Sequence, residues 1–257
     1  MTRGFVFDLD GTVYLGDKMI AGAAETIRAL RDRGDRVVFL TNKPIASRSS
    51  YVKKLADMGI PAQLSDVLNS SMLVAKYLSD RMQAGQKAYV IGEQPIIDEL
   101  KEHGVPLTEN SEEADYLILS WDREFTYQKL NLLYQAAMRG AFIVASNPDF
   151  TCPVENGQLP DTGTIIAALE AATGKPIDMV VGKPSLIAAQ TAVKQLGIDA
   201  ADCYAVGDRL ETDIRMGNDG GMQSVLVLTG VSTQDMAACS PDKPAHVVPS
   251  IESLLSL

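Results

Sequence analysis

Short apolar runs rich in β-branched and aromatic residues recur along the chain, separated by longer stretches with apolar positions at helical spacing. The runs at 5–7, 36–40, 88–91, 116–119, 142–145, 204–206, 224–228 and 246–248 predict strands. Between them the spacing predicts helices, among them 22–33, which ends at Gly34, and 184–196, which ends at Gly197. In each a glycine stands where the chain leaves the helix. Strands and helices that alternate from end to end are the signature of α/β layering around parallel strands. Val37-Val38-Phe39-Leu40 is apolar without alternation, as a strand buried on both faces must be. Ligands of such sheets bind beyond the carboxyl ends of the strands, and that is where chemistry is sought.

Polar groups collect there after three strands: Asp8 and Asp10, then Thr41 and Asn42, then Asp208 with Asp213. The middle of the chain contributes little of this kind, although it carries its own strand–helix series. The simplest organisation is a discontinuous core, residues 1–70 and 180–257, with a second α/β module, 71–179, inserted into it. The acidic stretch 109–115 reads as a solvated loop.

Composition narrows the partners. With 257 residues, 46% apolar and 22% charged, the chain can bury a substantial core as one large domain or two smaller ones. Its formal net charge of −10, without any Lys/Arg stripe, argues against nucleic acid or an anionic membrane surface. An anionic metabolite stays open, because a metal ion and one or two local cations dominate a small site. Cys152, Cys203 and Cys239 are far apart and have no zinc-like spacing, so reduced thiols are expected. The strand-like run that follows Met1-Thr2-Arg3-Gly4 is not a signal-peptide core, and no apolar stretch nears the roughly 18 residues that span a bilayer. The expected location is the cytoplasm.

Four segments carry the chemistry. In Phe7-Asp8-Leu9-Asp10-Gly11-Thr12, side chains two apart on an extended segment face one way, so one carboxylate can attack while the other moves a proton. Gly11 lets the chain turn and leaves N–H groups near an incoming anion. Phe39-Leu40-Thr41-Asn42 delivers a hydroxyl and an amide to the same edge. In Gly182-Lys183-Pro184-Ser185 the proline suits a first helical position and places Lys183 at a helix entrance, where a phosphate would meet an ammonium and a helix dipole. Val206-Gly207-Asp208-Arg209-Leu210-Glu211-Thr212-Asp213 adds two more carboxylates, and an oxygen-rich site of this kind suits Mg²⁺ better than zinc. Each segment alone has a plainer explanation as a turn, a cap or a solvated charge. All four at one end of an α/β sheet are jointly much stronger.

These four motifs, in this order, resemble the haloacid dehalogenase superfamily of aspartyl-phosphate enzymes. The insertion resembles the large C2 cap of its NagD-like and AraL-like sugar phosphatases (type IIA). Similarity extends over nearly the whole chain, through Val90-Ile91-Gly92-Glu93, Ser146-Asn147-Pro148-Asp149 and Leu226-Val227-Leu228-Thr229-Gly230-Val231. One departure is Asp161-Thr162-Gly163, where many relatives carry Pro-Gly before the glycine. The resemblance implies a Rossmann-like, doubly wound parallel-sheet core with an inserted α/β cap. It implies Asp8 as nucleophile and Asp10 as general acid and base. Mg²⁺ would be held by Asp8, the main-chain carbonyl of Asp10 and Asp208, with Asp213 supporting or completing the shell. Thr41, Asn42 and Lys183 would bind the transferring phosphoryl group.

The expected activity is hydrolysis of phosphate monoesters of small metabolites, sugar phosphates first. Nucleotides, pyridoxal phosphate and aryl phosphates are the alternatives, and a non-catalytic metabolite-binding regulator is a further one. Dehalogenases and phosphonatases of the superfamily normally lack a carboxylate at the position of Asp10, and a regulator would usually lose Asp8, Asp10 or Lys183. Caps of this type can mediate dimerisation, which leaves a homodimer through the cap open. Asn147, Asp149 and Asp122 are candidates for contact with the leaving group, against a turn role around Pro148 for the first two. Trp121 reads as packing, and His103 and His246 lie beside no motif. Gly217 to Gly221 reads as a helix's C-terminal turn rather than a phosphate loop.

Overall fold

The computed structural model describes residues 2–154 and 157–256. In chain order the strands are β1 (Gly4–Phe7), β2 (Tyr14–Leu15), β3 (Lys18–Met19), β4 (Arg36–Thr41), β5 (Val67–Asn69), β6 (Ala88–Ile91), β7 (Tyr116–Leu119), β8 (Phe142–Ala145), β9 (Thr151–Val154), β10 (Gly157–Pro160), β11 (Met179–Val180), β12 (Cys203–Gly207), β13 (Gln223–Val227) and β14 (His246–Val248). The helices are α1 (Ala23–Asp32), α2 (Arg48–Asp57), α3 (Ser70–Ser79), α4 (Gln94–Glu102), α5 (Tyr127–Met138), α6 (Thr162–Thr173), α7 (Leu186–Leu196), α8 (Arg215–Asp219) and α9 (Gln234–Cys239). By packing the chain divides into two units, Met1–Thr41, Arg48–Leu68 and Lys183–Leu257 in one, Asn42–Ser47 and Asn69–Gly182 in the other. Among the described residues no helix is long and apolar enough to cross a membrane.

The first unit is built on a six-stranded sheet in the order β14-β13-β12-β1-β4-β5. From β14 to β4 the neighbours run parallel. β1 lies inside because all four of its residues are buried. Phe5 stacks on Tyr204 of β12 with ring centroids 5.0 Å apart, and Phe7 lies 6.4 Å from Phe39 of β4. Burying each such side chain stabilises by roughly 1.5–3 kcal/mol. Gly4 allows the close approach, since a Cβ there would stand 2.6 Å from Cys203 Sγ. From β1 the chain passes to β4 on one side, and β12 returns on the other, so strand order reverses between β1 and β12. At such a switch point the loops part and leave a crevice. Asp8 and Asp208 follow directly from these two strands.

The second unit has a four-stranded parallel sheet in the order β11-β8-β7-β6. Its core joins Leu117 and Leu119 of β7 and Ile143 of β8 to Leu133 of α5 and Ile165 and Leu169 of α6. All eight strands predicted from the sequence are present within a residue or so of their expected ends. Helix α7 begins later than predicted. The Ser185 side chain accepts from the Ala188 N–H and caps it, so Pro184 stands before the cap and Lys183 is not at the helix entrance. The stretch 109–115 holds a short 3-10 turn, Ser111–Glu113, and most of its residues are exposed, as expected.

Candidate active site

Strand geometry brings the polar residues of the first unit together. The Asp8 N–H donates to Val206 O at 2.9 Å, which ties the end of β1 to β12. Beyond β12 the segment Leu210–Ile214 forms a π-helical turn, an uncommon conformation concentrated at functional sites. It buries Thr212 and Asp213 and turns the latter back toward the strand end. There Lys183 Nζ donates to Asp8 Oδ1 at 2.5 Å and to Asp213 Oδ1 at 2.6 Å. Asp213 Oδ2 accepts from the Arg209 N–H at 3.1 Å. Asp208 Oδ2 accepts from the Val231 N–H at 2.6 Å, and Thr229 Oγ1 donates to Gly11 O at 2.6 Å. Lys183, Asp208 and Asp213 are each 3% exposed or less.

Two carboxylates thus share one ammonium, with a third, Asp208, beside them. Oxygens of Asp8, Asp208 and Asp213 lie within 4.8 Å of one another. Burial pushes the Asp8 pKa well above the ordinary carboxylate range; Lys183 pulls it down, and Asp213 and Asp208 push it up again. Burial, reinforced by Asp213, raises Asp208 to about 7. For Lys183, burial works against the charged form, but Asp213 and Asp8 more than offset it and hold the pKa above the usual lysine value. Uncompensated negative charge in a buried, all-oxygen site without a His or Cys donor fits a hard divalent cation. The walls are shaped to match. Gly11 has φ +87°, and a Cβ there would lie 2.5 Å from Asp208 Oδ2; a Cβ at Gly230 would also strike the Asp208 carboxylate.

Of the remaining expected residues, Asp10 is half-buried one residue beyond Leu9, and its carboxyl stands outside the three-carboxylate group. Thr41 is buried at the end of β4. Asn42, next in the chain, packs in the second unit, where its Nδ2 donates to Asp149 Oδ2 at 2.9 Å and its carbonyl accepts from Ser70 Oγ at 2.6 Å and Asn147 Nδ2 at 3.1 Å. Asn147 is fully buried and its Oδ1 accepts from the Asp149 N–H at 3.0 Å, the turn role around Pro148. Asp122 is buried in an ion pair with Lys129 at 2.6 Å, and Trp121 is a packing residue, 2% exposed.

The sequence reading passed over Tyr14, and it marked Asp161 only as part of a departure from relatives, not as a helix cap. Tyr14 is fully buried at the start of the β2–β3 hairpin, whose signal, Gly16 first in a two-residue loop between Leu15 and Lys18, is present in the sequence. Asp161 caps α6 by accepting from the Thr162 N–H, and burial raises its pKa to about 6. No local pattern distinguishes a buried cap of this kind from a solvated one.

The chain matches the family model of the haloacid dehalogenase-like hydrolases over residues 5–106 and the HAD-hydrolase-like model over residues 180–254. It is 39% identical to the sugar-phosphatase AraL of Bacillus subtilis over 255 residues, 99% of this chain and 92% of that protein. Among solved structures it superposes on NagD from E. coli K-12 with a TM-score of 0.88 at 30% identity, over 98% of each chain. The glycerol phosphate phosphatase of Mycobacterium tuberculosis, solved in complex with magnesium, gives a TM-score of 0.90 at 30% identity over 98% of this chain and 77% of that one. Strand-end carboxylates, a shared lysine and similarity across the whole length lead to one conclusion: the chain belongs to the haloacid dehalogenase-like hydrolases, in their NagD- and AraL-like branch.

Proposed function

We propose that this protein is a magnesium-dependent phosphatase that hydrolyses phosphate monoesters of small metabolites, sugar phosphates foremost, through an aspartyl-phosphate on Asp8. The observation that carries this reading is the Asp8–Lys183–Asp213 chain at the switch point of the sheet. A carboxylate that attacks a phosphate monoester brings one anion onto another, and the Lys183 ammonium offsets that repulsion. Asp213, held by the Arg209 N–H, keeps the ammonium in place. Thr41 and Asn42 take the phosphoryl oxygens. A magnesium ion, when bound, would be held by Asp8, Asp208 and the main-chain carbonyl of Asp10 with Asp213 in support, and would supply positive charge against the phosphoryl oxygens.

In the first step an Asp8 oxygen bonds to phosphorus, the bond from phosphorus to the leaving oxygen breaks, and the Asp10 carboxyl gives that oxygen its proton. In the second, the Asp10 carboxylate takes a proton from water, the water oxygen bonds to phosphorus, and the Asp8–phosphorus bond breaks. Inorganic phosphate leaves, with Asp8 again a carboxylate. Phosphoryl transfer needs positioning and charge neutralisation above all, which is what this arrangement provides. Residues 71–179 form the cap that excludes water and selects the leaving group. Similarity to a sugar-phosphatase, and to a glycerol phosphate phosphatase seen with magnesium, supports the substrate class and the metal.

The test is direct. Acid quench during turnover should leave phosphate on the peptide that contains Asp8, chelation should abolish activity, and added Mg²⁺ should restore it. Asp8→Asn should show neither turnover nor the phosphopeptide; substantial turnover by that variant would remove Asp8 as the nucleophile.

A further inference from the structure

The second unit holds a cavity of about 340 Å³, near the lower end of the range of ligand pockets, roughly 300–1000 Å³. It lies where the loop that follows β7 meets the start of α6, and much of its wall is apolar: Trp121, Phe125, Leu159 and Ile165. The charges on that loop are spent on partners. Asp122 is bound by Lys129 at 2.6 Å, and Arg123 holds both oxygens of Glu93 at 2.6 Å. Acceptors remain. Thr164 Oγ1 donates to Asp161 O at 2.7 Å and keeps its lone pairs. Thr162 bonds Asp161 through Oδ1, and a carboxylate offers about four acceptor sites in all. Apolar walls, paired charges and free acceptor capacity suit a small neutral polyol, its C–H faces against the rings and its hydroxyls donating to Asp161 and Thr164.

The cavity is tied to the segment that follows Thr41, and every residue of the tie belongs to the second unit. On one wall, Asn147 Nδ2 donates to Asn42 O at 3.1 Å and to Thr162 Oγ1 at 3.2 Å, and Thr162 Oγ1 donates to Asp161 Oδ1 at 2.9 Å. On the other, Lys43 places its Nζ 6.0 Å from the centroid of the Trp121 ring, within reach of a cation–π contact. Asn42 and Lys43, neighbours in the chain, thus each lead to a wall of this cavity.

We propose that this cavity is the seat of the leaving group, that it takes a neutral polyhydroxylated group of about one sugar ring, and that Asp161 and Thr164 are the specificity-determining residues. The inference rests on the reading of Asn42 as a phosphoryl-binding residue. It adds the place and the side chains that select the alcohol, and it favours sugar phosphates over nucleotides, which carry a base beyond the ring.

Trp121 is the one tryptophan of the chain, so its fluorescence reports on this wall. In metal-free protein, where turnover stops, the best of a panel of pentose and hexose phosphates should shift its emission saturably, and inorganic phosphate should not. Thr164 is exposed on α6, so Thr164→Phe fills the cavity at little cost to the fold. Asp161→Asn keeps the helix cap but turns one acceptor into a donor. In each variant, kcat/KM for that sugar phosphate relative to acetyl phosphate, whose leaving group is only acetate, should fall at least about tenfold. The proposal is overturned by an unmoved ratio in both variants, by equal fluorescence responses to phosphate and sugar phosphate, or by a preference for adenosine monophosphate over every sugar phosphate. Absence of phosphate release from all of these compounds would instead overturn the phosphatase reading, and the fluorescence titration would still decide for or against the cavity.

Discussion

Replacing Lys183 by methionine removes the cation that Asp8 and Asp213 share and keeps an unbranched apolar stem only one atom shorter. The ammonium is 2.5 Å from one carboxylate oxygen and 2.6 Å from the other, and its side chain is 4% exposed, so solvent screens the interaction little. Loss of one partner from a buried ion pair costs about 3–5 kcal/mol, because the remaining charge stays desolvated and unpaired. Here two carboxylates are left facing each other, with Asp208 beside them. One of them takes up a proton. In the metal-free protein the denaturation midpoint of the first unit should therefore fall, and Mg²⁺ should recover part of the loss. For the reaction, losing a preorganised charge at the phosphoryl group should lower kcat/KM about a thousandfold, or ~4 kcal/mol. The pH profile supplies the sign. Lys183 lowers the Asp8 pKa, so without it the carboxyl is raised further and the acid limb of kcat/KM moves to higher pH. Residual activity of Lys183→Met should thus climb with pH where the wild type is already level. Lys183→Arg should not rescue it, since a buried site closed around an ammonium has no room for a guanidinium. Steady-state kinetics from pH 5 to 9, with circular dichroism to confirm folding, read all of this. A loss under tenfold with an unmoved acid limb would refute the reasoning.

Three further outcomes are expected. Asp10→Asn mixed rapidly with 4-nitrophenyl phosphate should release nitrophenolate in a burst approaching one per site and then stall, because the intermediate lacks its base; absence of a burst, with equal loss on a sugar phosphate, would assign Asp10 a structural role. Gly230→Ala drives a methyl group against the Asp208 carboxylate and should raise the Mg²⁺ concentration for half-activity at least about tenfold, seen by metal titration; an unchanged requirement would take Asp208 out of the metal site. Asp161 has a folded pKa of about 6 against 3.8 otherwise, so its contribution to stability is complete below pH 4 and is lost as pH rises to 6, about 3 kcal/mol in all. Asp161→Asn keeps the cap and should lose that slope, so denaturation midpoints of the two proteins should diverge between pH 4 and 6.5; parallel curves would contradict the burial of that charge.

Strands buried on both faces were legible because nothing but apolar residues suits them, as at Val37 to Leu40 and Leu117 to Leu119. Short or exposed strands were not: β5 has three residues and runs straight into α3, β11 has two, and the described positions of β10 are all exposed. The start of α7 went to Pro184 on propensity, whereas the Ser185 hydroxyl sets it. At the site, order along the chain told which carboxylates gather at the strand ends. It could not tell how they divide their bonds. That Asp213 spends one oxygen on Lys183 and the other on the Arg209 N–H depends on the π-helical turn, and a one-residue change in helical repeat leaves no mark in composition. Asn147 and Asp149 likewise find Asn42 more than a hundred residues away, a pairing that no local pattern encodes.

The position of β1 between β4 and β12 has a consequence for how the protein is made. Its second neighbour ends at Gly207, about 200 residues later in the chain. At a synthesis rate of roughly 5–20 residues per second, β1 waits about 10–40 s on the ribosome with Phe5, Val6 and Phe7 denied half of their packing. Strands β6 to β8 pair with one another and with β11, all of them made well before then. The nascent chain therefore carries an ordered middle and an unfinished, sticky beginning, and it is during this interval, not in the finished enzyme, that it has most need of a chaperone.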